Sequence, residues 1–319
     1  MRVVSWNLRF DSQPDAIDVE DSLKNIPDPL EAPKFMGKKG EQPWSIRRIR
    51  VAQELGSNIV IAAFQEALKR QVTDLAKLLG DEWEWVGVGR DDGREGGEYG
   101  PIFYNKCHFE LLEWDTFWLS ETPFTPSRYP GAGSYRIATV ARFATKGNPD
   151  ADKKCFTFIN THLDERSEDQ RKLGASLLLH RCHYEASVRK EPVFVVGDFN
   201  SEQEGRDSGA YRVLTGADSP VAVPAEFRAK FEFPPGSHPH FKMLDLRAET
   251  PRVNVTGFFR TFTGFIERLG WGGGGRIDYI LGSSAGGWSS NRYETPNVTY
   301  DDGVMASDHR PVYATIRLD

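Results

Sequence analysis

The run Val193-Phe194-Val195-Val196 is β-branched and aromatic, and it stops at Gly197-Asp198-Phe199-Asn200. Such a run reads as the interior of a buried strand, with Gly197 permitting a sharp exit. If the chain stays extended, Asp198 and Asn200 share one side, and Phe199 faces the other way into the core. The same habit recurs along the sequence. VVSWN ends at Asn7, IVIAAFQE at Glu66 and FTFINTHLD at His162. GRIDYIL carries Asp278 as its strand begins, and Asp308-His309 precede the last strand. One polar strand end is usually structural. Six in one chain are hard to assign to capping alone, because loops at sheet edges are where sites are built.

Strands are expected at 2–8, 58–66, 83–90, 100–105, 108–120, 134–145, 154–164, 193–198, 275–282 and 309–318. A helix is expected from about Trp44, where Ile46, Ile49, Val51 and Leu55 give an irregular helical face, with Arg47, Arg48 and Arg50 on a solvated side. QVTDLAKLLG reads as a helix that Gly80 closes, and SEDQRKLGASLLLHRCHYEA as another. Residues 11–43 are polar, rich in Pro and Asp and aperiodic, and read as a long loop or lid. Residues 202–255 carry helix and loop signals with little pattern. Many strands with short connections imply mixed or mostly antiparallel sheets rather than a regular βαβ repeat. No shift in composition marks a boundary, so 1–319 reads as a single domain with an insertion at about 11–43.

Bulk properties exclude several classes. The formal net charge of −6 is wrong for a basic nucleic-acid coat, although metal ions can carry phosphate contacts in an acidic nuclease. No apolar stretch approaches the ~20 residues of a membrane span. MRVVSWNLRF lacks the form of a secretory signal, and Cys107, Cys155 and Cys182 form no CxxC and no even-numbered framework. An intracellular, cytoplasmic protein is the expectation. The sequons at Asn254 and Asn297 are then chance matches. Trp83, Trp85, Trp114, Trp118 and Trp271 could stack bases or sugars, but they sit in strand-like runs that suit core or rim packing.

The polar residues at the strand ends fit one chemistry. Glu66, Asp198 and Asp308 are hard oxygen donors suited to Mg2+ or Mn2+. There is no HExxH and no Cys/His zinc cluster. His162 and His309 can meet anionic oxygens, and Asn7 and Asn200 can orient a water or a phosphoryl oxygen without adding charge. Carboxylates, amides and imidazoles around a hard cation describe a phosphoester-hydrolysing site.

SWN, QE, NTHLD, GDFNS, GRIDYIL and SDHRPV occur in the order found in the endonuclease/exonuclease/phosphatase superfamily, which the chain resembles from residue 3 to 317. The pairing of GDFN with a downstream SDHRP is the specific part. The resemblance implies a four-layer α/β sandwich, two mixed, mostly antiparallel β-sheets packed face to face with helices outside. It implies Glu66 as main metal ligand, with Asn7 and Asp308 completing the metal environment. Asp198 would activate or position the attacking water and Asn200 would hold it or a phosphoryl oxygen. His162 would donate to a non-bridging oxygen, and His309, oriented by Asp278, would stabilise the transition state. Tyr99, in GEYG, matches a phosphate-contacting tyrosine of many family nucleases, or else packs on the site wall. Arg90 could bind substrate phosphate through its fork of donors, or pair with Asp91 or Asp92.

GVGRDDGREGGEYGPIFY, TFWLSETP and TFTGF resemble a branch of generic bacterial and fungal hydrolases. The expected activity is therefore Mg2+- or Mn2+-dependent phosphodiester hydrolysis. The substrate is a nucleic acid, single-stranded favoured over duplex, or a small organophosphate. A phosphomonoesterase for a sugar, inositol or nucleotide phosphate is the alternative. A catalytically silent scaffold is the third reading, and it is disfavoured because every motif element is present. No protein partner is evident.

Overall fold

Residues of alternating parity along a buried strand face opposite ways. In the computed structural model, which describes residues 1–56, 58–146, 153–265 and 274–319, the two parities belong to different cores. The chain runs through β1 (Arg2–Asn7), α1 (Val19–Lys24), α2 (Trp44–Leu55), β2 (Ile61–Gln65) and α3 (Lys69–Leu79). It continues through β3 (Trp83–Val86), β4 (Ile102–Asn105), β5 (Phe109–Trp118), β6 (Ile137–Thr145), β7 (Cys155–His162) and α4 (Glu168–Tyr184). Next come β8 (Val193–Asp198), α5 (Gly209–Leu214), α6 (Ala225–Lys230), β9 (Met243–Asp245) and α7 (Leu246–Glu249). The last strands are β10 (Val255–Gly257), β11 (Asp278–Ser283), β12 (Trp288–Thr295) and β13 (Val312–Leu318).

One sheet has the order β10-β12-β13-β1-β2-β4-β3, the other β5-β6-β7-β8-β11-β9. Only β1/β2, β10/β12 and β7/β8 pair in parallel among the described strands. The expected mixed, mostly antiparallel sandwich is what forms. Val3, Ile61, Phe158, Phe194, Val196 and Ile280 fill the space between the sheets. The opposite parity of the first sheet, Val4, Trp6 and Phe64, packs on α2 and α3 through Trp44, Val51, Val72 and Leu75. The opposite parity of the second, Ile159, Val193, Val195 and Leu281, packs on α4, α5 and α6 through Leu177, Leu178, Val213 and Phe227. Phe199 joins this outer core, fully buried, with its ring centroid 5.1 Å from that of Tyr279.

Four elements were not legible in the sequence, beginning with α1, a six-residue helix inside the 11–43 segment read as loop. Strands β9 and β10 are three residues each, too short to show a period. Strand β12 shifts register between Ser290 and Arg292, and that irregularity breaks its alternation. The expectation for α2 is corrected as well. Arg47 and Arg48 are fully buried rather than solvated. Arg47 donates to the carbonyls of Leu8 (2.6 Å), Ala306 (3.0 Å), Gln42 (2.9 Å) and Arg9 (3.2 Å), so its charge is spent on loop backbone. Arg48 donates to Asp74 (2.8 Å), to Ser22 and to the carbonyls of Ile17 and Asp18. Guanidinium groups can be buried in this way because each N–H finds an acceptor. Arg50 pairs with Asp302 at 3.2 Å.

Those arginines also anchor the 11–43 segment, which contains α1. Arg70 adds bonds to Asp11 (3.0 Å) and Asp15 (2.8 Å), and the returning half docks Met36 N–H on Asp301 and Lys38 N–H on Asp302. Trp118 is buried and donates to the Arg90 carbonyl at 2.8 Å, and Trp83 and Trp85 pack against the outer core. Trp114 is exposed, and Trp271 lies outside the described residues. Among the described residues no helix is long and apolar enough to cross a membrane.

Two amides pin the sheets together. Asn160 on β7 donates to the carbonyls of Phe64 (2.8 Å) and Pro101 (2.9 Å) and accepts from Gln65 at 2.7 Å, all fully buried. Asn160→Leu would strand two carbonyls and an amide N–H at that spot. The expected cost is about 2–4 kcal/mol, read from the urea midpoint at unchanged m-value. A change below half a kilocalorie would show that the pin carries no weight.

Candidate active site

The parity that fills the space between the sheets also builds the site. Val3, Ser5 and Asn7 alternate inward on β1, Phe156, Phe158, Asn160 and His162 on β7, and Phe194, Val196 and Asp198 on β8. Asp278 and Ile280 do the same on β11. The site is thus the polar end of the inter-sheet core. Register places His162 beside Asp198 and Asp278 on its other side, while Asn7 pairs with Gln65 on the facing sheet. Gly197 is required for this approach. Its φ is +144°, and a Cβ there would lie 1.9 Å from the Thr161 carbonyl oxygen.

The chain does not stay extended past Asp198, as first expected. Asn200 N–H bonds Asp198 Oδ1 at 2.9 Å, and Asn200 adopts φ +46°. Glu66 leaves β2 at φ +59°. Left-handed conformations in non-glycine residues cost free energy and cluster at functional sites. They aim both side chains at one point.

Asp198 Oδ2 is the centre of the cluster. It accepts from Asn7 Nδ2 at 2.9 Å and lies 3.6 Å from His162 Nε2 and 3.7 Å from His309 Nε2. The other Asn7 N–H bonds Glu66 at 2.9 Å, and its Oδ1 accepts from Arg9 N–H. His309 Nδ1 bonds Asp278 at 2.9 Å. Asn200 Nδ2 donates to the Leu163 carbonyl and faces His162 Nε2, both at 3.0 Å. That contact assigns the lone pair of His162 to Nε2 and its proton to Nδ1, which has no partner. Asp308 is less central. It is half-buried and lies 3.2 Å from the Ser307 hydroxyl oxygen.

Burial dominates the electrostatics. Burial, then the charge of Asp278, raises the Asp198 carboxyl to about 7 against the pull of His309. Burial opposes charge on His309 too, but the carboxylates of Asp278 and Asp198 outweigh it and raise its pKa to about 10. Burial, with the Arg136 and Arg90 charges, holds His162 well below its ordinary value and neutral. Burial also raises Asp308.

Arg90 bonds Glu98 at 2.5 Å and lies 3.8 Å from Asp91. Tyr99 is buried, donates to the Arg94 carbonyl at 3.1 Å and bridges Ala67, next to Glu66. Sequence reasoning missed several participants. Glu98, raised by burial to about 7, approaches His162 Nδ1 to 3.9 Å. Ser307 donates to the Asn7 carbonyl at 2.6 Å and accepts from His309 N–H, tying the two loops together. Arg136 pairs with Asp164 and Glu165 behind His162. Asn160 was detectable, since a polar residue two before His162 shares its face. Arg136 and Asp164 left no such signal.

One ligand atom each from Glu66, His162 and Asp198 lie within 4.8 Å of one another, as do those of Asp198, Asp278 and His309. In the second group Asp278 and His309 already satisfy each other. In the first, the His162 lone pair is taken by Asn200, and the two carboxylates are the oxygen donors that fit a hard divalent cation such as Mg2+ or Mn2+. Asn7 adjoins it through its amide, and Asp308 stands outside that 4.8 Å group.

The profile of the Endonuclease/Exonuclease/phosphatase family matches residues 4–309. A crystal structure of an endonuclease/exonuclease/phosphatase from Bacteroides vulgatus superposes with TM-score 0.73 at 29% identity, covering 100% of this chain and 98% of that one. A mannosyl-6-phosphatase from Bacteroides thetaiotaomicron gives 0.70 at 23% identity, over 100% of both chains. Danio rerio TDP2, solved with a single-strand DNA product, gives 0.58 at 15% identity over 99% and 98%. Among curated proteins none matches.

Proposed function

Because this chain belongs to the endonuclease/exonuclease/phosphatase family, a family of phosphoester hydrolases, we propose that it hydrolyses phosphodiesters with the help of a divalent metal ion. The observation that carries this reading is Asp198: a buried carboxylate held by Asn7 between two imidazoles. Burial and the charge of Asp278 both favour its taking a proton, which suits a general base. Glu66 would be the principal ligand of the ion, with Asp198 beside it, and the ion would supply Lewis-acid polarisation of a phosphoryl oxygen.

The chain's own residues divide the remaining work. Asp198 takes the proton of the attacking water as its oxygen bonds to phosphorus, the P–O bond to the departing alcohol breaks, and that oxygen leaves with a proton from bulk water. Asn200 fixes the His162 ring with Nε2 facing Asp198, which holds it at the edge where a non-bridging oxygen would sit. His309, held as imidazolium by Asp278, neutralises charge growing on phosphorus. Arg90 is committed to Glu98, and Arg136 to Asp164 and Glu165. A diester brings one negative charge, which needs no further cation. That favours a diester over a dianionic monoester. A second reading, a phosphomonoesterase for a small sugar phosphate, draws support from the end-to-end likeness to the mannosyl-6-phosphatase.

The test is hydrolysis of bis(p-nitrophenyl) phosphate and p-nitrophenyl phosphate with Mg2+ or Mn2+. We expect turnover of the diester, its loss in EDTA, and for Glu66→Gln a fall of about 10–100-fold that raised metal partly restores. Turnover of the monoester alone would select the second reading. Turnover of neither, with no metal bound, would leave a silent scaffold.

A further inference from the structure

A cavity of about 840 Å3 lies between the C-terminal half of α4 and the segment 213–242. It sits at the far end of the sheet from the site. Its rim residue Lys242 precedes Met243, which pairs with Ser283 at the end of β11, whereas Asp278 begins that strand. Six residues of strand put the two roughly 17 Å apart.

Two properties of its lining converge. The wall is an aromatic row. The His183 ring lies parallel to Phe241, 5° between planes at 4.6 Å, and 4.0 Å from Phe233 on its other contact. His180 and His183 donate to the carbonyls of Phe231 and Ser237, and burial lowers both pKa values, so these rings are neutral members of the stack. The rim is cationic. Arg228 and Lys242 are exposed there, and among the described residues neither forms an ion pair. The one carboxylate in the lining, Asp218, is held by Arg212 at 2.7 and 2.8 Å. An uncompensated cationic rim stands out in a chain of net charge −6.

We propose that this cavity is a second binding site, distinct from the catalytic one, for an organic anion whose flat apolar body lies on the Phe233–His183–Phe241 wall while its acidic group meets Arg228 and Lys242. The volume is that of a small-molecule pocket. His238 and His240 also line it, but no three ligand atoms there come within 4.8 Å of one another among the described residues, so a transition-metal site is not formed.

The probe is anilinonaphthalene sulfonate, titrated by fluorescence into the full chain, with neutral phenylnaphthylamine as the uncharged control. We expect saturable binding of the sulfonate and about tenfold weaker binding to the double variant Arg228→Glu/Lys242→Glu. Ala217→Trp, which adds bulk at the exposed lip, should also block it. Both variants should keep the parent near-ultraviolet dichroism and diester turnover. Equal affinity for the neutral compound, unchanged binding in both variants, or displacement of the dye by vanadate with Mn2+ would each overturn the assignment.

Discussion

Asp198→Asn lowers kcat for a diester by about three to four orders of magnitude, with the fold intact. The substitution keeps the volume and can still accept the Asn200 N–H that Asp198 Oδ1 now receives at 2.9 Å. What it removes is the oxygen that takes a proton and that faces Asn7, His162 and His309 together. Single-turnover hydrolysis at saturating metal isolates that step from metal affinity, and the melting temperature should stay within a few degrees of the parent. A fall of less than tenfold would mean that another group activates the water, and Glu98, close to His162, would become the first candidate.

Asp278→Asn acts through His309 and is read best as a pH profile. In the parent, His309 keeps its proton up to about pH 10, because the two carboxylates outweigh the cost of burying the charge. A group whose folded pKa is raised contributes its stabilisation at low pH and loses it as pH rises through that value. Activity that needs the imidazolium therefore has a late alkaline limit. Replacing Asp278 removes the nearer carboxylate, 2.9 Å from Nδ1, so the limit moves down toward the ordinary histidine value of 6.5. We expect kcat at pH 8 to fall about 10²–10³-fold. Recovery of much of that loss at pH 6 would separate this effect from simple misfolding. A profile of unchanged shape would remove His309 from the transition-state role.

The strands whose polar ends make the site were legible because period-two alternation is strict where both faces are buried. Asn7, His162, Asp198 and Asp278 continue the inward series of their own strands. Residues outside that series were harder. Glu66 and Asn200 were singled out as polar ends of apolar runs, but they reach the centre through left-handed turns that no periodicity encodes, and the motif resemblance supplied their roles. Glu98 sits in a Gly-rich loop with several acids, and nothing local marks it as the one that turns inward. Arg47 and Arg48 were misread because their acceptors are mostly backbone carbonyls of distant loops, which a helical pattern cannot reveal. The edge strands fell below the length at which alternation can be counted.

The amide pin at Gln65 and Asn160 has a consequence for divergence. It lies directly beneath the reacting groups and fixes one sheet against the other, so the catalytic end inherits the rigidity of the core. Two loops close onto that frame from outside: 89–99 brings Glu98 to 3.9 Å from His162, and 257–262 sets Phe262 against His309 and Thr261 on the Asp278 N–H. Sequence drift in the exposed stretches between those contacts can alter which ester fits without disturbing how the bond is cut. A lineage built on this frame can change its diet while keeping its teeth.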